Sequence, residues 1–207
     1  MNAFVRPLVA ARPALGLEPA GYDVTVARTL NDLLQVTTVR AMVYMAEQGC
    51  PFDEEFDGND FAGATHLLLR CRGEPVGVMR VRWFADFAKM ERLAVLKAHR
   101  GRATRAFAAF AMRLIERKGY RRAIGHADPR SIAFWTRYFG GTARLDRPRV
   151  GFSDHEYVEM VFDLPPADDA LTLDSDPMVL LRPEGDWDRP GVLDRSLDRA
   201  GQVEALS

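Results

Sequence analysis

Lys89-Met-Glu-Arg-Leu-Ala-Val-Leu-Lys-Ala-His-Arg-Gly-Arg-Ala-Thr-Arg-Ala-Phe-Ala-Ala-Phe-Ala-Met-Arg-Leu-Ile-Glu-Arg-Lys-Gly119 decides the reading of this chain. A short apolar strand, Lys89 to Leu96, runs through an Arg-Gly turn directly into an amphipathic helix expected over residues 100 to 118, with Gly119 closing it. The first amides of a helix lack intrahelical partners and carry the positive end of its dipole, so such a turn is built to hold an anion such as phosphate. Arg100, Arg102 and Arg105 add cationic charge. The segment alone also fits an ordinary strand-to-helix connection with a solvated basic face.

Working outward, Tyr22 to Arg28 alternates apolar and polar residues as a half-buried strand, and Asn31 is placed to cap a helix running to about Gly49. An acidic loop, Phe52 to Phe61, leads into an apolar hairpin, Thr65–Cys71 and Val76–Phe84, turned at Arg72-Gly-Glu-Pro. Lys89 to Leu96 is then the third strand of a meander. After the basic helix come a strand at Arg122 to Asp128, a helix begun by Pro129 and closed by Gly140-Gly141, and two strands near 142–152 and 155–164. The division expected is an arm over residues 1–21, a domain over 22–164 and an extension over 165–207. Met178-Val-Leu-Leu and Trp187 give the extension something to bury, either as a docked arm or as a subunit contact.

Lys plus Arg number 28 against 29 Asp plus Glu, which gives no reason to expect a nucleic-acid or anionic-membrane partner. No apolar run reaches the length of a membrane span, and Arg12 and Pro13 interrupt the one near the N-terminus, so the expectation is a cytoplasmic, bacterial-style enzyme. Cys50 and Cys71 follow no metal-ligand spacing, and no metal site, nucleotide-hydrolysis motif or nucleophilic triad stands out.

The order strand, helix, three-strand meander, helix after an Arg-Gly turn, strand, helix, two strands resembles the GNAT superfamily of N-acetyltransferases over residues 22 to 164. The resemblance implies an α+β fold in three layers: a mixed, mostly antiparallel sheet of about seven strands flanked by helices and splayed between the fourth and fifth. In that family the turn after the fourth strand reads Arg/Gln-x-x-Gly-x-Gly/Ala and holds the pyrophosphate of acetyl-coenzyme A. Here it is Arg100-Gly101-Arg102-Ala103-Thr104-Arg105, with Ala103 and Arg105 departing from the pattern. Arg105 should either swing away or engage the phosphates itself.

Val39-Arg-Ala-Met-Val-Tyr with the loop through Asp60, Ala64-Thr-His-Leu-Leu and Gly77-Val-Met-Arg80 is similar to the ElaA-type branch, to acyl-homoserine lactone synthases and to N-acyl amino acid synthases. Arg40, Asp57, Asp60, Arg80 and Arg92 match the lactone-synthase signature, whereas Lys89 stands where a Glu should be and argues against lactone synthesis. These resemblances imply an acyltransferase using acetyl-coenzyme A or another acyl-coenzyme A, without a metal, on an amine of a small molecule or amino acid. They leave open an acyl carrier protein as donor in an N-acyl amino acid or autoinducer synthase, a non-catalytic acyl-coenzyme A-binding module, and a homodimer.

Acyl transfer needs a neutral amine, a donor to the oxyanion and an acid for the leaving thiolate. By resemblance the oxyanion donor is the amide of Leu93 or Ala94, and amides near Val95 pair with pantetheine. Glu91 is the first candidate base, followed by His126 beside Asp128; His155 and Tyr157 border the expected cleft. Trp135 occupies the place of the family's usual acidic Tyr, and Tyr138 is the substitute, with solvent as the alternative. Asp57 and Asp60 suit an amine-bearing acceptor or the capping of their own loop. Arg80 and Arg82, two apart on a strand, suit a carboxylate clamp or surface ion pairs.

Overall fold

Alternating faces of the central strands sort the chain into layers. The protein's structure, a computed structural model, describes residues 21–196. The expected arm therefore lies outside the described residues except for Gly21, as does the end of the extension beyond residue 196.

Strand β1 (Tyr22–Val26) precedes helix α1 (Leu30–Arg40), whose axis continues as a π-helical stretch over Ala41–Glu47. Thr29, not Asn31, caps α1. Its side chain accepts from the Asp32 amide while the Asp32 carboxylate reaches back to the Thr29 amide, a reciprocal box that places the helix start two residues earlier than the Asn. The acidic loop holds one helical turn, α2 (Phe52–Glu55). There follow β2 (Ala64–Cys71), β3 (Glu74–Trp83), β4 (Ala88–Val95), α3 (Arg102–Arg117), β5 (Arg122–Ala127), α4 (Ile132–Phe139), β6 (Thr142–Ala143), β7 (Val150–Phe152), β8 (His155–Asp163) and α5 (Pro177–Leu180).

The sheet has eight strands in the order β1-β2-β3-β4-β5-β8-β6, with β7 paired to β8, and every pairing is antiparallel except β4 with β5. The single strand expected over 142–152 is two short ones; Pro148, which has no amide to give a ladder, lies between them. Leu67, Leu68 and Leu69 are all fully buried because α1 covers one face of β2 and α3 the other. On the α3 side Leu67, Leu69, Met79 and Val81 meet Phe107, Ala111 and Ile115; on the α1 side Leu68, Val78 and Ala94 meet Val36, Val39 and Val43.

The extension docks on its own chain. Trp187 is 6% exposed and belongs to the α3-side core, and the Leu171 amide donates to the Arg117 carbonyl at 2.8 Å. Arg28 forks onto the Glu184 carbonyl through Nε and Nη2, while its Nη1 reaches Asp186 at 2.6 Å. Gly185 sits at φ +83° with its missing Cβ 2.7 Å from Val26 Cγ2. Gly185→Ala is therefore expected to lower unfolding free energy by about 1–2 kcal/mol, from left-handed strain plus overpacking against β1, measured by urea denaturation. No helix among the described residues is long and apolar enough to cross a membrane, and no cluster of His, Cys, Asp or Glu among them is arranged to hold a metal. Cys50 and Cys71 are free thiols.

Candidate active site

β4 and β5 pair only from Ala88 to Met90 against Ala123 to Gly125. Beyond that point β5 stays with β8, through His126↔Glu159 and Ala127↔Val158, and the two parallel strands separate. β4 also bulges away from β3: the register steps from Arg80↔Glu91 to Val78↔Ala94, with Arg92 at φ +52°. The gap is a cleft of about 650 Å³ that reaches from Gly101 and Thr104 at the start of α3 to Lys89, Glu91 and His126.

At its mouth, Arg100 donates to the Val95 carbonyl at 2.9 Å and pairs with Glu47, so it ties the turn to the α1 side. Gly101 takes φ +98°, a conformation that L side chains rarely adopt, and its missing Cβ would meet nothing within 4 Å. The first turn of α3 holds no acidic residue, and the Arg105 amide is the one that returns to the Gly101 carbonyl, at 3.1 Å. The amides before it are the free donors of the helix. Thr104 lines the cleft with a buried Oγ1 that has no hydrogen-bond partner. A buried hydroxyl without a partner is costly, and one set among free amides at a positive helix end fits an anionic oxygen.

A splayed parallel pair with an anion-binding helix start at its mouth is the arrangement that the sequence resemblance requires. The family model described as "Acetyltransferase (GNAT) family" matches residues 31–140. The chain belongs to the GNAT acetyltransferase family. A Bacillus subtilis (strain 168) protein named as an acetyltransferase is 38% identical over 72 residues, 34% of this chain and 49% of that protein. The chain thus spans about half the length of this curated relative. In fold, it is similar to an acyl-CoA N-acyltransferase from Pseudomonas aeruginosa (TM-score 0.61, 23% identity, 68% of this chain and 99% of that one). It is also similar to Escherichia coli ElaA (TM-score 0.60, 19% identity, 69% and 98%).

Within this GNAT cleft, Leu93 and Val95 line the wall, whereas Ala94 is 1% exposed and packs under α1. Arg105 swings away from the turn to lie over the Tyr138 ring at 5.1 Å. Tyr138 is 46% exposed and does not line the cleft; Phe134 and Trp135 do. The Tyr138 expected as a substitute acid therefore sits outside the cleft lining. Tyr157 does line it, half-buried, and burial raises its hydroxyl above the ordinary range.

Glu91 reaches the cleft with both oxygens engaged: Oε1 accepts from Arg80 Nε at 2.7 Å, and Oε2 meets Lys89 Nζ at 2.8 Å. His126 faces the cleft half-buried, and no hydrogen bond among the described residues ties its ring. Burial and then the nearby Lys89 ammonium push its pKa down, against weaker pull from Glu159 and Glu91, which favours the neutral imidazole. Asp128 is occupied in capping Pro129–Ser131 and pairing Arg130.

The other charged residues are gathered beside the cleft rather than in it. Arg40 and Arg80 are 1% and 0% exposed. Arg40 pairs with Glu55 and Asp60; Arg80 takes both oxygens of Asp57 at 2.8 and 2.6 Å, Asp60 at 2.8 Å and Glu91. Burial raises the Asp57 and Asp60 carboxyls, but hydrogen bonds and charges from the arginines outweigh it and hold both below the usual carboxylate range. Asp57 also accepts the Asn59 amide, the loop-capping role foreseen beside the acceptor role. Arg82 lies over the Phe84 ring, 4.0 Å from Glu91. None of Arg40, Asp57, Asp60, Arg80 and Arg82 lines the cleft.

Sequence reasoning did not single out Tyr44, whose hydroxyl donates to the Leu93 carbonyl at 2.9 Å from a buried position on the cleft wall. One signal was available: a polar tip in the otherwise apolar series of the first helix.

Proposed function

We propose that this protein is an N-acyltransferase that moves the acyl group of acetyl-coenzyme A, or of another acyl-coenzyme A, to an amine of a small molecule or amino acid. The observation that carries the reading is the mouth of the cleft, where the free first amides of α3 and the open space beside Gly101 adjoin Thr104, whose buried hydroxyl has no partner. Those groups would hold the pyrophosphate, and the apolar interior at Met79, Met90, Trp135 and Met160 would take the pantetheine and acyl portions.

In this reading His126 removes a proton from the ammonium of the acceptor. The freed nitrogen pair bonds to the thioester carbon while the carbonyl pair moves onto oxygen, where the Leu93 amide donates to it. The carbonyl then re-forms as the C–S bond breaks, the nitrogen gives its second proton to solvent, and the thiolate takes a proton from water or from Tyr157, which recovers one from solvent. Glu91 places negative charge next to the arriving ammonium. We assign Arg40, Asp57, Asp60 and Arg80 to the scaffold that fixes Glu91 and the acidic loop, because buried guanidiniums already filled by carboxylates have no donor to offer a substrate.

Calorimetric titration with acetyl-coenzyme A, followed by a thiol-release assay over a panel of amines, tests the reading. Saturable binding with turnover of at least one amine is expected, and absence of binding by acetyl- and long-chain acyl-coenzyme A alike overturns it. Thr104→Val gives a sharper test because it deletes an oxygen that satisfies nothing in the free protein. The variant is expected to fold at least as stably as the parent yet to bind coenzyme A about tenfold more weakly, the ordinary worth of one hydrogen bond to a charged group.

A further inference from the structure

The bulge of β4 places one backbone carbonyl in the keeping of a side chain from another element. Pairing with β5 has ended at Met90↔Gly125, and the β3 register passes from Arg80↔Glu91 to Val78↔Ala94, so Arg92 and Leu93 together oppose the single residue Met79. A buried peptide group must find a partner somewhere. The Leu93 carbonyl finds Tyr44, whose hydroxyl donates at 2.9 Å from the cleft wall that both residues line.

We propose that Tyr44 is a positioning residue for acyl transfer: by holding the Leu93 carbonyl, its hydroxyl fixes the bulge so that the Leu93 N–H stays aimed at the thioester carbonyl oxygen. The inference rests on the acyl-donor reading above and adds to it the group that orients the oxyanion donor.

Independent features converge on this role. Tyr44 sits at the middle of the π-helical stretch Ala41–Glu47, a departure from α register that recurs at functional sites and changes which way a side chain leaves the helix. Its ring is 8% exposed and meets Phe152 edge-on at 5.5 Å, and the opposing restraint on the bulge uses the same ring: the Arg92 guanidinium lies 4.3 Å from the Phe152 centroid. Arg92, at φ +52°, is further pinned by the Glu54 carbonyl at 2.7 Å and by Asp57. A non-glycine residue in that conformation persists only where its surroundings hold it, and here the restraints bracket Leu93. Burial pushes the Tyr44 hydroxyl well above its ordinary pKa, so it remains a donor throughout the neutral range.

Tyr44→Phe keeps the ring and removes the oxygen. With the best amine of the panel, kcat is expected to fall about 10- to 30-fold, less than outright deletion of an oxyanion donor, while KM and Kd for acetyl-coenzyme A stay within about twofold. A purely structural role would move affinity and thermal midpoint together with kcat. The infrared band of carbonyl-labelled acetyl-coenzyme A reads the geometry directly and needs no acceptor. In the wild type the bound thioester carbonyl should shift to lower wavenumber than free in solution, and in Tyr44→Phe that shift should shrink at saturating ligand. An equal shift and equal kcat in the two proteins overturn the role of Tyr44 alone. A wild-type protein that binds no acetyl-coenzyme A, or binds it with the band unshifted, overturns the donor-site reading and this inference with it.

Discussion

Arg80→Met is expected to destabilise the fold by about 3–5 kcal/mol, the usual result of removing one partner from a buried ion cluster. Arg80 is fully buried and is the common partner of Asp57, Asp60 and Glu91, so its loss takes one cation from three carboxylates and leaves them chiefly to Arg92, Arg40 and Lys89 respectively. Methionine fills much of the volume, which isolates the charge effect from a cavity. The pH dependence has a definite sign. Asp57 and Asp60 are held below the ordinary carboxylate range in the folded protein, so the unfolded chain binds more protons than the native one in the acid window, and stability there rises with pH. Their contribution is complete above about pH 4–5 and is lost as pH falls through the depressed folded values. Urea denaturation of the parent and of Arg80→Met should therefore show the largest gap near neutrality and a narrowing gap toward pH 3. A gap below about 1 kcal/mol at pH 7 would show that Arg40, Lys89 and Arg92 suffice to compensate these acids.

That cluster also marks where the sequence stops being legible. The order of elements follows from local signals: the alternation of Tyr22 to Val26, the hairpin turn at Arg72-Gly73, the apolar spacing of α3 and the positive φ of Gly119 behind it. The pairing of Arg40 with Asp60, or of Arg80 with Asp57, depends on how the acidic loop folds over β3, a distance no spacing rule encodes. The first helix reads as regular from its apolar positions, yet the π-helical stretch shifts the phase just where Tyr44 must meet β4. Tyr138 lies outside the cleft lining for a related reason. Three residues beyond Trp135 is short of a full turn and moves about 4.5 Å along the axis, which sets the ring outside the cleft lining and under Arg105. Trp187 could be read as a residue in need of burial, but its place in the α3-side core is set by Gly185 against Val26 and by the fork of Arg28 on Glu184.

His126→Gln is expected to lower kcat by about 10²- to 10³-fold with little change in KM for acetyl-coenzyme A, if the imidazole is the base that frees the amine. Glu91 competes for that role by position alone. An amine approaching either of its oxygens must displace Arg80 or Lys89, whereas the His126 ring faces the cleft with no hydrogen bond to give up among the described residues. The two assignments differ in their pH profiles. Burial and the Lys89 ammonium push the His126 pKa below its ordinary value of about 6.5, so its titration should appear as an acid limb of the rate lying below that value. His126→Gln should abolish that acid limb, since glutamine does not titrate. Lys89→Met should leave the limb in place but move it toward higher pH, because the neighbouring positive charge that disfavours the imidazolium is gone. A limb that survives His126→Gln unmoved and disappears in Glu91→Gln would return the base to the strand carboxylate. Lys89 would then act on that carboxylate directly through its 2.8 Å ion pair.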